Sequence, residues 1–157
     1  MSMERAKAHL EKKGLLDRVI EPEVQTATVA EAAAALGCEE SHIAKTLSFY
    51  DGEGGAMLIV AAGDAKVDNR KFKDRFRMKP KMLAYEDVEP MTGHAVGGVC
   101  PFGVREGLAV YCDVSLRRFA YVYPAAGNAH SGVRLTSDEL FDAADAREWI
   151  DVCKGWE

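Results

Sequence analysis

Thr46-Leu47-Ser48-Phe49-Tyr50-Asp51-Gly52-Glu53-Gly54-Gly55-Ala56-Met57-Leu58-Ile59-Val60-Ala61-Ala62 is the stretch that decides the fold. Thr46 to Tyr50 reads as a strand, and Asp51 to Gly55, rich in glycine, as a hairpin turn. Ala56 to Ala62 is the returning strand. Its unbroken apolar run predicts burial on both faces. Strands joined by so short a turn must run antiparallel, whereas parallel neighbours need a long crossover. Helical segments alternate with strands through the rest of the chain. The fold class is therefore α/β with a mixed sheet, not a purely parallel doubly wound one.

Working outward, a helix is predicted from near Met3 to Lys13, closed by Gly14, with Ala6 and Leu10 facing inward. Thr28 and Glu31 form a T-x-x-E capping box ahead of an alanine-rich helix that Gly37 stops. Ser41 is placed as the cap of a helical turn leading into Lys45. Asp68 or Asn69 opens a helix through Phe76, with Phe72 and Phe76 on its inner face. Lys81 to Ala84 reads as a strand and Glu86 to Met91 as a short helix. Further strands are expected at Leu108 to Asp113, Phe119 to Tyr123 and Gly132 to Leu135. Thr136 and Glu139 make a second capping box, opening a helix near Ser137. With no repeat or linker, residues 1–157 read as one domain.

Composition narrows the function classes. The sequence holds no apolar run of membrane-spanning length, and its first residues lack the basic start and apolar core of a secretion signal, so a cytoplasmic location is expected. Cys38, Cys100, Cys112 and Cys153 are scattered and read as reduced thiols. No Cys/His spacing suggests a metal, and no cofactor is expected. Formal net charge is −5, which argues against a surface that binds nucleic acid everywhere. Yet Lys66, Arg70, Lys71, Lys73, Arg75, Arg77, Lys79 and Lys81 face only Asp68 and Asp74 in one segment. A basic strip on an acidic body suits contact with one end of a polyanion. A solvated helix face would look the same.

Gly93-His94-Ala95-Val96-Gly97-Gly98-Val99-Cys100-Pro101-Phe102-Gly103 is neither helix nor central strand. Ordering such a loop is entropically unfavourable. Two readings stay open: a tight packed bend, or a backbone that presents N–H groups to an anion or a carbonyl oxygen. Lys45 lies where a helical turn meets an apolar strand. Lysine is rarely buried without a partner, so it is either a snorkelling surface residue or a functional ammonium. Cys100 invites a nucleophile reading, but no histidine can be placed beside it from sequence. A packing or pocket-lining role is preferred. His94 either packs the loop or orients a carbonyl or substrate.

Taken in order, Ile43-Ala44-Lys45-Thr46-Leu47, the basic strip, the glycine loop, Tyr123-Pro124-Ala125-Ala126-Gly127 and Val133-Arg134-Leu135-Thr136-Ser137-Asp138-Glu139-Leu140 form a set. From about Thr28 to Leu140 that set resembles the YbaK and prolyl-tRNA synthetase-associated domain family, which removes wrongly attached amino acids from tRNA. The resemblance implies a curved, barrel-like mixed sheet surrounded by helices. It implies that Lys45 of the K-T-L motif holds a phosphate oxygen or the terminal ribose, with Thr46 beside it. Gly97, Gly98 and Pro101 of the G-x-x-x-P loop would grip the ester carbonyl. His94, Val99, Cys100, Phe102, Gly103 and Gly127 would line the aminoacyl pocket. Lys66, Arg70, Lys71 and Lys73 would attract the tRNA acceptor end. Where many members have Ser-Ala-Gly, this chain has Ala125-Ala126-Gly127, so any contact of that hydroxyl is missing.

The function so implied is hydrolysis in trans of the ester of a mischarged tRNA, with cysteinyl- or alanyl-tRNA for proline as the usual cargo and prolyl-tRNA synthetase as a candidate partner. No Ser-His-Asp or Cys-His signature is recognisable, which suits an activated ester attacked by water. Two rivals remain at this level. One is a non-catalytic module binding an aminoacyl or nucleotide ligand or a synthetase; the other is a hydrolase of small esters.

Overall fold

The structure, a computed structural model, describes residues 2–20, 29–95, 99–125 and 132–156. The elements run α1 (Ser2–Lys12), β1 (Val19–Ile20), α2 (Val29–Leu36), β2 (Ile43–Tyr50), β3 (Ala56–Ala62), β4 (Lys66–Val67), α3 (Asn69–Phe76) and α4 (Tyr85–Thr92). They continue with β5 (Ala109–Asp113), β6 (Tyr123–Pro124), β7 (Gly132–Val133), α5 (Ser137–Ala143), β8 (Trp149–Ile150) and β9 (Cys153–Lys154). Short 3-10 turns lie at Leu16–Arg18, Glu40–His42 and Val114–Arg118.

The central sheet has the order β6-β2-β3-β5-β8. The β2–β3 pair is antiparallel, from Ala44↔Ala62 to Tyr50↔Ala56, as the hairpin requires. The β2–β6, β3–β5 and β5–β8 pairs are parallel. The sheet is mixed and flanked by helices. Every residue of β3 is buried, and burying an aliphatic side chain contributes about 1.5–3 kcal/mol. This central strand is the axis of the core.

Strand alternation sends successive side chains to opposite faces. Phe49 meets Phe72 of α3 at a centroid distance of 5.2 Å, and Phe76 meets Tyr111 of β5 at 5.3 Å. Lys45, Leu47 and Phe49 therefore share the face that α3 covers. Thr46, Ser48 and Tyr50 point the other way, where the Tyr50 hydroxyl donates to Asp87 of α4 at 2.5 Å. Cys100, Phe102, Ala6 and Leu10 belong to the same buried core as β3.

Local signals account for the helix ends. Asp68 caps α3, accepting from the Arg70 and Lys71 amides. Thr136 and Glu139 form the reciprocal capping box of α5; the Thr28 box lies outside the described residues. Four expectations need correction. β2 begins at Ile43, so Lys45 sits inside the strand, and the preceding turn is entered through Glu39 without a side-chain cap from Ser41. Lys81–Ala84 makes only the single bridge Phe49↔Met82, because Ala84 already serves as the N-cap of α4. Phe119–Tyr123 starts with a bend at Phe119 and Ala120 and enters the central sheet only at Tyr123, where β2 begins at Ile43. The last helix, whose end the sequence leaves open, stops at Ala143, and Trp149–Ile150 joins the sheet.

Gly63 fixes the exit of β3 against the turn before β2. A Cβ built there would lie 1.9 Å from the Glu40 carbonyl oxygen, a backbone atom that cannot step aside. Gly63→Ala is expected to destabilise the fold by roughly 1–3 kcal/mol, the usual range for overpacking. Urea unfolding would measure it, and a wild-type midpoint would show that the approach is not needed.

Candidate functional site

Lys45 is half-buried on β2, opposite Ala61. Its ammonium donates to the carbonyls of Ala65 and, at 3.4 Å, Gly63, both in the turn that follows β3. Burial pushes its pKa down from the ordinary lysine value, partly offset by the thiol of Cys153 and the Asp64 carboxylate. An ammonium has three donors. Among the described residues two are taken by these carbonyls, leaving one for a ligand oxygen. Sequence reasoning missed Gly63 and Ala65 as partners. Their contribution is backbone oxygen, which leaves no trace in residue identity.

Thr46 faces the opposite side of the strand from Lys45. Its hydroxyl is buried with no hydrogen-bond partner among the described residues. Val99, half-buried, packs against the small cluster of Ala56, Leu83 and Val88 and against the main core. The described bonds of Lys45 lead to the turn after β3.

The glycine loop is braced at its two ends. Gly93 ends α4 at φ +88°, and the Thr92 hydroxyl accepts from the His94 amide at 3.1 Å. His94 is fully buried, and its Nε2 lies 2.6 Å from the Phe102 carbonyl across the loop. At the far end the Gly103 carbonyl accepts from Arg5 Nε of α1 at 2.8 Å. Gly103 has φ +65°, and a Cβ there would lie 2.4 Å from the Arg5 carbonyl oxygen. The loop is therefore tied across its mouth by a histidine and anchored to α1 by a glycine.

The structure supplies the neighbour that sequence could not place beside Cys100. Its Sγ lies 3.6 Å from His94 Nε2. The pair does not make an activated nucleophile. With Nε2 donating its proton to the Phe102 carbonyl, it has no lone pair to take a proton from the thiol. Cys100 is fully buried and also lies 3.5 Å from the Phe102 carbonyl oxygen. Cys112 and Cys153 are no better, since burial pushes each thiol up to about 12. Pro101 and Phe102 are buried too. Any contact of Cys100 or Phe102 with a ligand in this state would run through backbone. Gly97, Gly98 and Gly127 lie outside the described residues.

The basic strip divides. Lys66 on β4 and Arg70 and Lys73 on α3 are exposed. Arg70 and Lys73 stand three apart on one helix face. Lys71 is instead drawn to the carboxylate of Asp151 at 3.0 Å and the Cys153 carbonyl at 2.9 Å. Arg75 is bound to Glu148. The free positive charge of the strip is smaller than its sequence suggests.

The described site thus consists of a half-buried lysine on β2 of a mixed sheet and a glycine loop braced at its two ends. Residues 23–143 match the family model described as an aminoacyl-tRNA editing domain. The chain belongs to that family, the YbaK and prolyl-tRNA synthetase-associated trans-editing domains. It is 47% identical to YwhH of Bacillus subtilis (strain 168) across the whole of both chains. It is 25% identical to EbsC of Enterococcus faecalis (strain ATCC 700802 / V583), described as a candidate Cys-tRNA(Pro)/Cys-tRNA(Cys) deacylase, over 81% of this chain and 76% of that one. A crystal structure described as a candidate trans-editing enzyme for prolyl tRNA synthetase superposes with a TM-score of 0.87, at 33% identity and 98% coverage of each chain.

His94 offers a test of the brace. Burial holds its pKa below the ordinary value of 6.5. The unfolded chain then binds a proton before the folded one does, so this contribution to stability is full above about pH 6.5 and shrinks as pH falls. Thermal unfolding between pH 8 and 5 should show that decline in wild type and a flatter profile in His94→Gln. His94→Ala, which strands the Phe102 carbonyl, should cost on the order of 1–3 kcal/mol. Parallel profiles for wild type and His94→Gln would contradict a neutral, buried brace.

Proposed function

We propose that this chain is a deacylase acting in trans, which hydrolyses the ester joining a wrongly attached amino acid to the 3′ end of a tRNA. The observation that carries the reading is Lys45: an ammonium held by two backbone carbonyls with one donor left over. Family membership supplies the class of reaction. The likeness to a structure described as a candidate trans-editing enzyme supports action in trans.

In this reading Lys45 hydrogen-bonds a phosphate or ribose oxygen of the terminal nucleotide and fixes the ester in place. Backbone N–H groups of the 97–101 loop receive the carbonyl oxygen as it gains charge. Water attacks the carbonyl carbon, the tetrahedral intermediate collapses, and the ribose hydroxyl leaves with a proton. An aminoacyl ester is already activated, so positioning and a few preorganised donors suffice without a protein nucleophile. The buried, high-pKa thiols and the donor state of His94 agree with that economy. Lys66, Arg70 and Lys73 attract the acceptor-stem backbone, with affinity that falls as salt rises.

Cysteinyl- or alanyl-tRNA for proline is the substrate we favour, in keeping with the description of EbsC. Prolyl-tRNA synthetase is the enzyme whose errors would be corrected, in keeping with that of the superposed structure. One methylene in an apolar pocket is worth only about 1–3 kcal/mol of discrimination, so a synthetase admits smaller amino acids and needs a second sieve.

The test is release of labelled amino acid from cysteinyl-, alanyl- and seryl-tRNA for proline and from correct prolyl-tRNA. Wild type should release one or two of the wrong amino acids and spare proline. Lys45→Ala should lower the rate by about 10²–10³, the usual effect of losing one well-placed donor. Release at an unchanged rate in Lys45→Ala would contradict the mechanism. No release from any substrate, with tRNA binding intact, would favour a binding module.

A further inference from the structure

We infer that Tyr121 and Arg134, with Arg18 beside them, form a docking platform for the unpaired 3′ end of the RNA, a few nucleotides before the ester; the inference rests on the deacylase reading above. The guanidinium of Arg134 lies over the Tyr121 ring, 4.0 Å from its centroid. Both side chains are exposed, Tyr121 at 40%. They line a cleft of about 230 Å³ together with Arg18, Thr136 and Glu139.

Arg134 rests on an aromatic ring, as Arg117 does on Trp149 at 5.0 Å, but at the shorter distance and inside a cleft. Lys13, Arg18, Lys71, Arg75 and Arg118 are each neutralised by a carboxylate. In the cleft itself, Glu139 takes Arg18 at 2.9 Å. Arg134 has no carboxylate within ion-pair distance among the described residues, and its charge rests on an aromatic face. A guanidinium stacked in this way keeps its donor edge free for a phosphate, and its outer plane free for a base. Unpaired nucleotides are recognised by such aromatic and arginine planes.

The backbone holds the platform rigidly. Val133 and Leu135 are fully buried on either side of Arg134, so strand alternation turns Arg134 outward. Val122, next to Tyr121, exchanges two backbone hydrogen bonds with Leu135, at 2.7 and 3.0 Å. The platform is also suitably placed. Tyr123 pairs with Ile43 in parallel register, so Tyr121 lies about four residues behind Lys45 and one strand over. Strand rise and spacing put the two Cα atoms roughly 14 Å apart, a span of about four stacked nucleotides. A chain whose last residue is held by Lys45 would pass the stack on its way out. The alternation of buried Val133, polar Arg134 and buried Leu135 was the sequence signal. Its aromatic partner is twelve or more residues away in the chain, and only folding brings them together.

The experiment is a fluorescence-anisotropy titration with an acceptor-stem RNA hairpin carrying its unpaired 3′ tail, and with the same hairpin made blunt. Tyr121→Ala and Arg134→Ala should each weaken binding of the tailed hairpin about tenfold and leave the blunt one unchanged. Tyr121→Phe should bind like wild type, as should Lys12→Ala, a control for the loss of one surface charge. Unfolding midpoints of the variants would confirm that they fold. Equal binding of the tailed hairpin by wild type and the Tyr121→Ala/Arg134→Ala double variant would overturn the platform. Losses of equal size on both hairpins would overturn it too, because they would report charge and not the tail. Amino acid release measured on the same preparations separates the two ideas. Release by wild type with unaltered binding by the double variant overturns the platform and keeps the deacylase. No release by wild type overturns the deacylase, while the titration still judges the platform.

Discussion

The antiparallel ladder between β2 and β3 is the constraint on which the rest depends. Its register sets Lys45 opposite Ala61 and delivers the chain, two residues later, to the Gly63 turn whose carbonyls receive the ammonium. A slip of one residue would exchange the faces of Lys45 and Thr46. The register is protected because β3 is buried on both sides and because Gly63 sits against the Glu40 carbonyl where no side chain fits. Packing of the core and geometry of the site are thus the same fact seen from two places.

Electrostatics then divides the molecule's charges into structural and available ones. Buried Asp113 accepts from the Ser115 and Val152 amides, which fixes the end of β5 against the C-terminal strands. Exposed ion pairs such as Lys71 with Asp151 contribute little to stability, but they remove positive charge from the strip. Lys45 differs from both classes. Burial opposes its charge, the two carbonyls favour it, and a remaining donor is left over a site otherwise built from backbone. Such a group gains most from an anionic or strongly polar ligand, because the ligand arrives in a partly desolvated setting. In the proposed reaction the glycine loop, whose described ends a histidine brace and the Gly103 anchor hold in place, would supply the complementary backbone donors.

Much of this was legible in the sequence, for identifiable reasons. The hairpin, the caps Asp68 and Thr136, and the inward pair Phe72 and Phe76 are local signals, and each appears where the pattern placed it. The misread segments were those decided by distant partners. Lys81–Ala84 is extended, but only one of its residues finds a bridge to β2. Phe119–Tyr123 likewise joins the sheet only at Tyr123, where β2 begins. At the site, Lys45 could be singled out by its unusual setting, whereas its carbonyl partners could not. The same holds for Cys100, whose histidine neighbour is close in sequence but is brought alongside only by the fold of the loop. The loss of Lys71 from the basic strip depended on Asp151, eighty residues away.

The central claim is that aminoacyl ends bind at Lys45 of β2 and at the braced glycine loop. The most direct test is a titration of isotopically labelled protein with a non-hydrolysable 3′-aminoacylamido-adenosine, followed by two-dimensional NMR. The account predicts saturable shifts at the amides of Lys45, Thr46 and the Val99 to Gly103 segment, and their loss in Lys45→Ala. Saturable shifts confined to another surface, with Lys45 and the loop unperturbed, would contradict it.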